Sequence, residues 1–117
     1  WGAMLGEALA AADALAAEGV AAEVIDVATL KPLDADTITA SVARTGRAVI
    51  VHEAALTGGF GAEIAARLAE RCLFDLLAPV LRVAGYDTVM PLAKLEQHYM
   101  PSQERILEAA HEVMRYP

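Results

Sequence analysis

The stretch from Ala48 to Leu68, AVIVHEAALTGGFGAEIAARL, moves from an unbroken apolar run, through a polar pair and a glycine-rich turn, into helix-periodic sequence. An apolar run without polar alternation predicts a strand covered on both faces, here Ala48 to Val51. Such a strand suits a parallel sheet, and strands alternating with helices along the chain place it in the α/β class with a largely parallel sheet. The flanking sequence follows that alternation. Leu5, Ala8, Leu9, Ala12, Leu15 and Ala16 recur at helical spacing before Gly19, predicting a helix over Ala3 to Glu18. The β-branched run AEVIDV predicts a strand over Ala22 to Val27.

Asp34 is placed to cap a helix over Ala35 to Arg44, with Leu33 packing on Ile38 and Thr45-Gly46 closing the helix. After the glycine turn, Ile64, Leu68 and Cys72 mark the buried face of a helix from Gly61 to Phe74. Ala78 to Ala84 reads as a third strand and Leu92 to Tyr99 as a short helix. Ser102 is placed to cap a last helix, Gln103 to Arg115, with Ile106, Ala110, Val113 and Met114 inward. Three strands make a thin sheet, and a βα unit would place a further strand ahead of Trp1.

Composition limits the partners. Apolar residues make up 56% of the chain and aromatics only 5%, so the core is aliphatic and rich in alanine. Mean hydropathy is +0.40, yet no run of about 18 apolar residues occurs. The surplus apolar character therefore predicts a partner or a missing piece of the same protein, and no membrane span. A net charge of −7 without basic stripes excludes nucleic acid as the expected partner. Cys72 is the single cysteine, so no internal disulfide is expected; this and the lack of a basic leader fit a reducing, cytoplasmic setting.

The candidate site is the joint itself. Gly58, Gly59 and Gly61 could present amides to an anion at a helix start. They could equally supply positive φ and close helix–sheet approach, the commoner role for a GGFG order with no following Walker lysine. His52 and Glu53 lie where strand ends meet ligands in open sheets. The competing reading makes His52 a structural, hydrogen-bonded histidine at an interface, because no second catalytic group accompanies it. His98 and Tyr99 are candidates for a contact surface or for helix packing, and His111 for a solvated position. The three histidines and one cysteine show no metal-ligand spacing, and Cys72 sits on an apolar helix face where a thiol is inert.

The words AEVIDVATLKPLDADTI, VARTGRAVIVHEA, TGGFGAEIAARLAE, APVLRVAGYDTVMP and LEQHYMPSQERIL occur in fixed order across nearly the whole chain. Together they resemble the C-terminal domain of the beta subunit of thiamin-diphosphate-dependent 2-oxo acid dehydrogenases, the pyruvate, branched-chain and acetoin types. That domain has the transketolase C-terminal fold. The resemblance implies one domain over residues 1–117, part of a longer beta subunit. It implies a three-layer α/β/α fold, mostly parallel with one antiparallel strand, whose first strand stands ahead of Trp1.

It also implies that thiamin diphosphate and magnesium belong to the parent enzyme, with no cofactor or catalytic residue in this stretch. The implied partners are an alpha subunit, a second beta subunit and the basic subunit-binding domain of the acyltransferase core. Glu108, Glu112, Tyr116 and Pro117, at the chain end, are the expected part of that docking surface. Where relatives often read HEAPRTGG, this chain has Ala55 and Leu56. The lost arginine removes a natural anion partner and shifts the expectation for the joint toward packing or subunit contact. The alternative from another class is a stand-alone anion-binding module using the Gly58–Gly61 loop.

Overall fold

The computed structural model describes residues 1–117, in the order α1 (Met4–Ala17), α2 (Ala35–Thr45), β1 (Val49–Ala55), α3 (Gly61–Cys72), β2 (Leu81–Gly85), α4 (Glu96–Tyr99) and α5 (Gln103–Arg115). Single 3-10 turns follow α3 (Leu73–Asp75) and precede α4 (Ala93–Leu95). β1 and β2 pair in parallel, Val49 opposite Leu81 and Val51 opposite Val83, with an irregularity before Ala55 meets Gly85.

Helices cover both faces of this pair. Ile50 points into a core with Ile38 and Val42 of α2 and Ile64, Leu68 and Cys72 of α3. Val49 and Val51, of opposite parity, pack against a second core of Ala11, Val83, Ile106 and Ala109. Side chains alternate across a strand, so one apolar run serves both layers. The result is the expected α/β/α arrangement.

Several local readings hold. Asp34 accepts from the Thr37 amide at 3.1 Å, and Gly46 closes α2 in the left-handed region at φ 73°. A side chain at Gly46 would also strike Leu77. Ser102 accepts from the Arg105 amide at 3.2 Å. At the far end of α5, Arg47 donates from Nε to the Val113 carbonyl (2.9 Å) and from Nη2 to that of Tyr116 (3.0 Å). The last carbonyls of α5, which lack helical partners, are thus met by a cation reaching from the start of the sheet.

The structure corrects other boundaries. β1 extends through His52 and Glu53 to Ala55, and β2 begins at Leu81 rather than Ala78. Met114 is 46% exposed, and Ala109 rather than Ala110 carries the buried face of α5. The largest correction concerns Ala22 to Val27, which is not a strand. The sheet is two-stranded, and the only antiparallel pairing is an isolated bridge between Leu30 and Leu33. The segment has the residues of a strand but no neighbour within reach. A cavity of about 590 Å³ lies between it and β1, lined also by α1, α2 and α5. No helix is long and apolar enough to cross a membrane.

Candidate functional site

His52 follows Ile50 by two residues on β1 and so points to the same side, toward α3. It is fully buried. Its Nδ1 lies 3.1 Å from the Ala54 carbonyl oxygen. A carbonyl can only accept, so Nδ1 carries the proton and Nε2 is left with a lone pair. Nε2 has no hydrogen-bond partner. Its neighbour is the backbone of the glycine loop: a Cβ added to Gly61 would lie 2.4 Å from Nε2, and one added to Gly59 would lie 2.3 Å from the Ala55 oxygen and 2.7 Å from the ring. Gly58 adopts φ +77°, with open space around it. Of the three loop glycines, Gly58 therefore meets a backbone requirement, and Gly59 and Gly61 meet the imidazole ring.

Trp1 closes the other side, its ring centroid 5.1 Å from that of His52 and 6.3 Å from that of Phe60. Burial pushes the His52 pKa below its ordinary value, and the positive charges of the Trp1 amino group and Arg82 push it further. The hydrogen bond to Ala54 opposes them.

The loop is also held from the β2 side. Asp87 accepts from the Thr57 amide at 2.8 Å and from its hydroxyl. These bonds hold the Asp87 carboxyl below the usual range. Arg82 Nη1 donates to the Leu56 carbonyl at 2.9 Å, and the Leu56 amide donates to Gly85 at 3.1 Å. The Leu56 backbone is thus fixed while its side chain is 39% exposed. The early amides of α3 are already committed: Ala62 donates to Gly59, and Glu63 and Ile64 donate to Phe60. No cluster of three or more His, Cys, Asp or Glu is gathered for a metal.

The other predicted residues are placed as follows. Glu53 is exposed beside the buried His52. Tyr99 is buried, its ring against Gly85, where a Cβ would fall 2.7 Å from it, whereas His98 is exposed. His111 lies 2.7 Å from Glu18 and bridges α5 to α1. Cys72 is buried, and its thiol is pushed up by that burial. Glu108, Glu112, Tyr116 and Pro117 are all exposed. Sequence reasoning missed Asp87, Arg82 and Arg105. Arg105 donates to the Ala84 carbonyl at 2.7 Å and lies over the Tyr86 ring. These contacts join residues far apart in sequence, and no local spacing announces them.

A parallel pair of strands between two helical layers, with a histidine sealed under a glycine loop, defines a small α/β/α domain. Residues 1–106 match the family model described as "Transketolase, C-terminal domain", and the chain belongs to that family. It is 46% identical over 116 residues to the pyruvate dehydrogenase E1 component subunit beta of Bacillus subtilis (strain 168). The corresponding subunit of Staphylococcus epidermidis is 45% identical. Each alignment covers 99% of this chain and 36% of the relative, so the chain spans about a third of the length of these relatives. Among solved structures it is similar to "Split gene transketolase, inactive beta4 tetramer", with TM-score 0.81 and 32% identity, covering 97% of this chain and 36% of that one.

Proposed function

We propose that this domain is the assembly and partner-docking domain of the beta subunit of a 2-oxo acid dehydrogenase. The parent enzyme decarboxylates a 2-oxo acid on thiamin diphosphate with magnesium and passes the acyl group to lipoamide. This stretch contributes architecture: contacts with an alpha subunit and a second beta subunit, and a surface for the basic binding domain of the acyltransferase core.

The observation that carries this reading is what the joint leaves open. His52 is sealed and the early amides of α3 are spent internally, so the joint favours packing over chemistry. Large apolar side chains stand out instead. Phe74 is 99% exposed, with Leu73 and Leu77 beside it, and Val89 and Leu92 are each 88% exposed. Apolar exposure of this kind favours protein contact. The solved neighbour, a beta4 tetramer, supports a role in assembly. On the outer side of α5, Glu104, Glu108 and Glu112 stand four residues apart and exposed, an acidic stripe suited to a basic partner.

The purified chain, given pyruvate, thiamin diphosphate and magnesium, is expected to show no decarboxylation. Turnover in that assay would overturn the reading. Calorimetric titration with inorganic phosphate checks the other function for the loop: saturable binding abolished by Gly59→Val would make the joint an anion site.

A further inference from the structure

Arg105 stands in the first turn of α5, its amide capped by the Ser102 hydroxyl. The helix dipole is positive there, so the position disfavours a cation. The side chain reaches across to the C-terminal end of β2. Nη2 donates to the Ala84 carbonyl at 2.7 Å, and Cζ lies 4.7 Å from the centre of the Tyr86 ring. Nη1 is buried and has no hydrogen-bond partner. A buried donor on a charged group is costly to leave unmet.

The carboxylates of the chain do not answer this charge. Ion pairs engage Arg44, Arg67, Arg71 and His111, and Arg105 takes part in none of them. Glu7, at the same helix start, accepts from the Gln103 amide at 2.9 Å. Asp87, next to Tyr86 in sequence, is bonded to Thr57. Glu108, one turn further along α5, is exposed. A single carbonyl gives the guanidinium a partial charge and one contact. A carboxylate gives a full charge and two oxygens that match the guanidinium fork. Open parallel sheets hold ligands outside the carboxyl ends of their strands, and Ala84 is the last but one residue of β2.

We propose that Arg105 and Tyr86 form a binding site for a small carboxylate at the C-terminal end of β2. The carboxylate accepts from Nη1 while Nη2 stays on Ala84. Tyr86 is the gate. Its ring covers one face of the guanidinium and is 52% exposed, and its own carbonyl is bonded only locally, to the Thr88 amide. A turn of the ring toward solvent opens the site, while Asp87 and Thr57 keep the loop anchored. The site belongs to the α1–α5 side of the sheet, whereas His52 faces α3. The inference is therefore independent of the joint and of the docking role proposed above.

The purified chain, isotope-labelled at arginine, is titrated with sodium acetate and, at matched ionic strength, with sodium chloride, and the guanidinium signals are followed by magnetic resonance. Acetate is expected to shift the Arg105 signal saturably, with half-saturation at about 1–10 mM, the strength of one charge-assisted contact. Arg67 and Arg71, already paired at the surface, are expected to respond as they do to chloride. Arg105→Lys keeps the charge and removes the fork, and its missing signal assigns Arg105. Acetate is expected to raise the melting temperature of the parent chain above its value in chloride, and to leave Arg105→Lys unchanged between the two salts. A chloride-like response of Arg105 up to about 100 mM acetate overturns the proposal. So does stabilisation by acetate that persists in Arg105→Lys. An Arg105 signal that shifts with protein concentration and not with acetate also overturns it, by giving the carboxylate to a side chain of a second copy.

Discussion

At the scale of single residues, the joint is governed by one imidazole. The glycines at 59 and 61 were legible in the sequence as a device for close approach. What they approach was not legible, because the loop's return over His52 is a tertiary event. Gly61→Ala places a methyl group 2.4 Å from Nε2. It is expected to cost about 2 kcal/mol or more in urea unfolding, as overpacking of a filled core does. Gly58→Ala meets no atom within 4 Å and bears only the strain of φ +77°, so its loss should be smaller.

His52 also gives the domain an acid-sensitive window. Its folded pKa lies below the ordinary 6.5. As pH falls below about 6.5, the unfolded chain takes up a proton that the folded chain resists, so stability declines until pH has passed the folded pKa. Replacing His52 with glutamine should flatten that part of a stability–pH curve. Asp34 and Asp87, both held below the ordinary 3.8 by bonds from Thr37 and Thr57, act lower on the scale: their contribution is present above that value and fades as pH falls through their lowered pKa values.

At the scale of elements, the helix ends were the most readable features and the strands the least. Asp34 and Ser102 cap where a short acceptor side chain precedes helix-periodic sequence, because capping is a local event between residues three apart. Ser102→Ala should lower stability by about 1 kcal/mol. Leu68, 1% exposed between α2 and β1, should cost about 2–5 kcal/mol as Leu68→Ala, measured by the same unfolding. AEVIDV is the instructive failure. Its β-branched residues describe a side-chain pattern suited to a pleated, covered surface. A strand also needs a hydrogen-bonding neighbour, and that neighbour is not supplied by the segment itself. The α/β class was legible from alternation and the three layers came with the family resemblance, while the register of β1 on β2 and the long-range arginine contacts were not legible.

At the scale of the whole molecule, the surface combines exposed charge with large exposed apolar side chains. The acidic stripe on α5 predicts salt-sensitive binding of a basic partner. In the assembled beta subunit, Glu108→Lys combined with Glu112→Lys should weaken capture of the acyltransferase binding domain by tenfold or more and reduce its dependence on ionic strength, as read by surface plasmon resonance. Unchanged affinity would move the docking surface elsewhere. The aromatic contact at the joint has an optical consequence. Trp1 is the single tryptophan of the chain, and its indole rests against His52. Its emission is therefore a built-in gauge of the joint: the colour reports whether the indole is covered, and the intensity reports the charge on the ring beside it. A titration followed by eye of the spectrometer would read the burial and the protonation of His52 from one fluorophore, without any label.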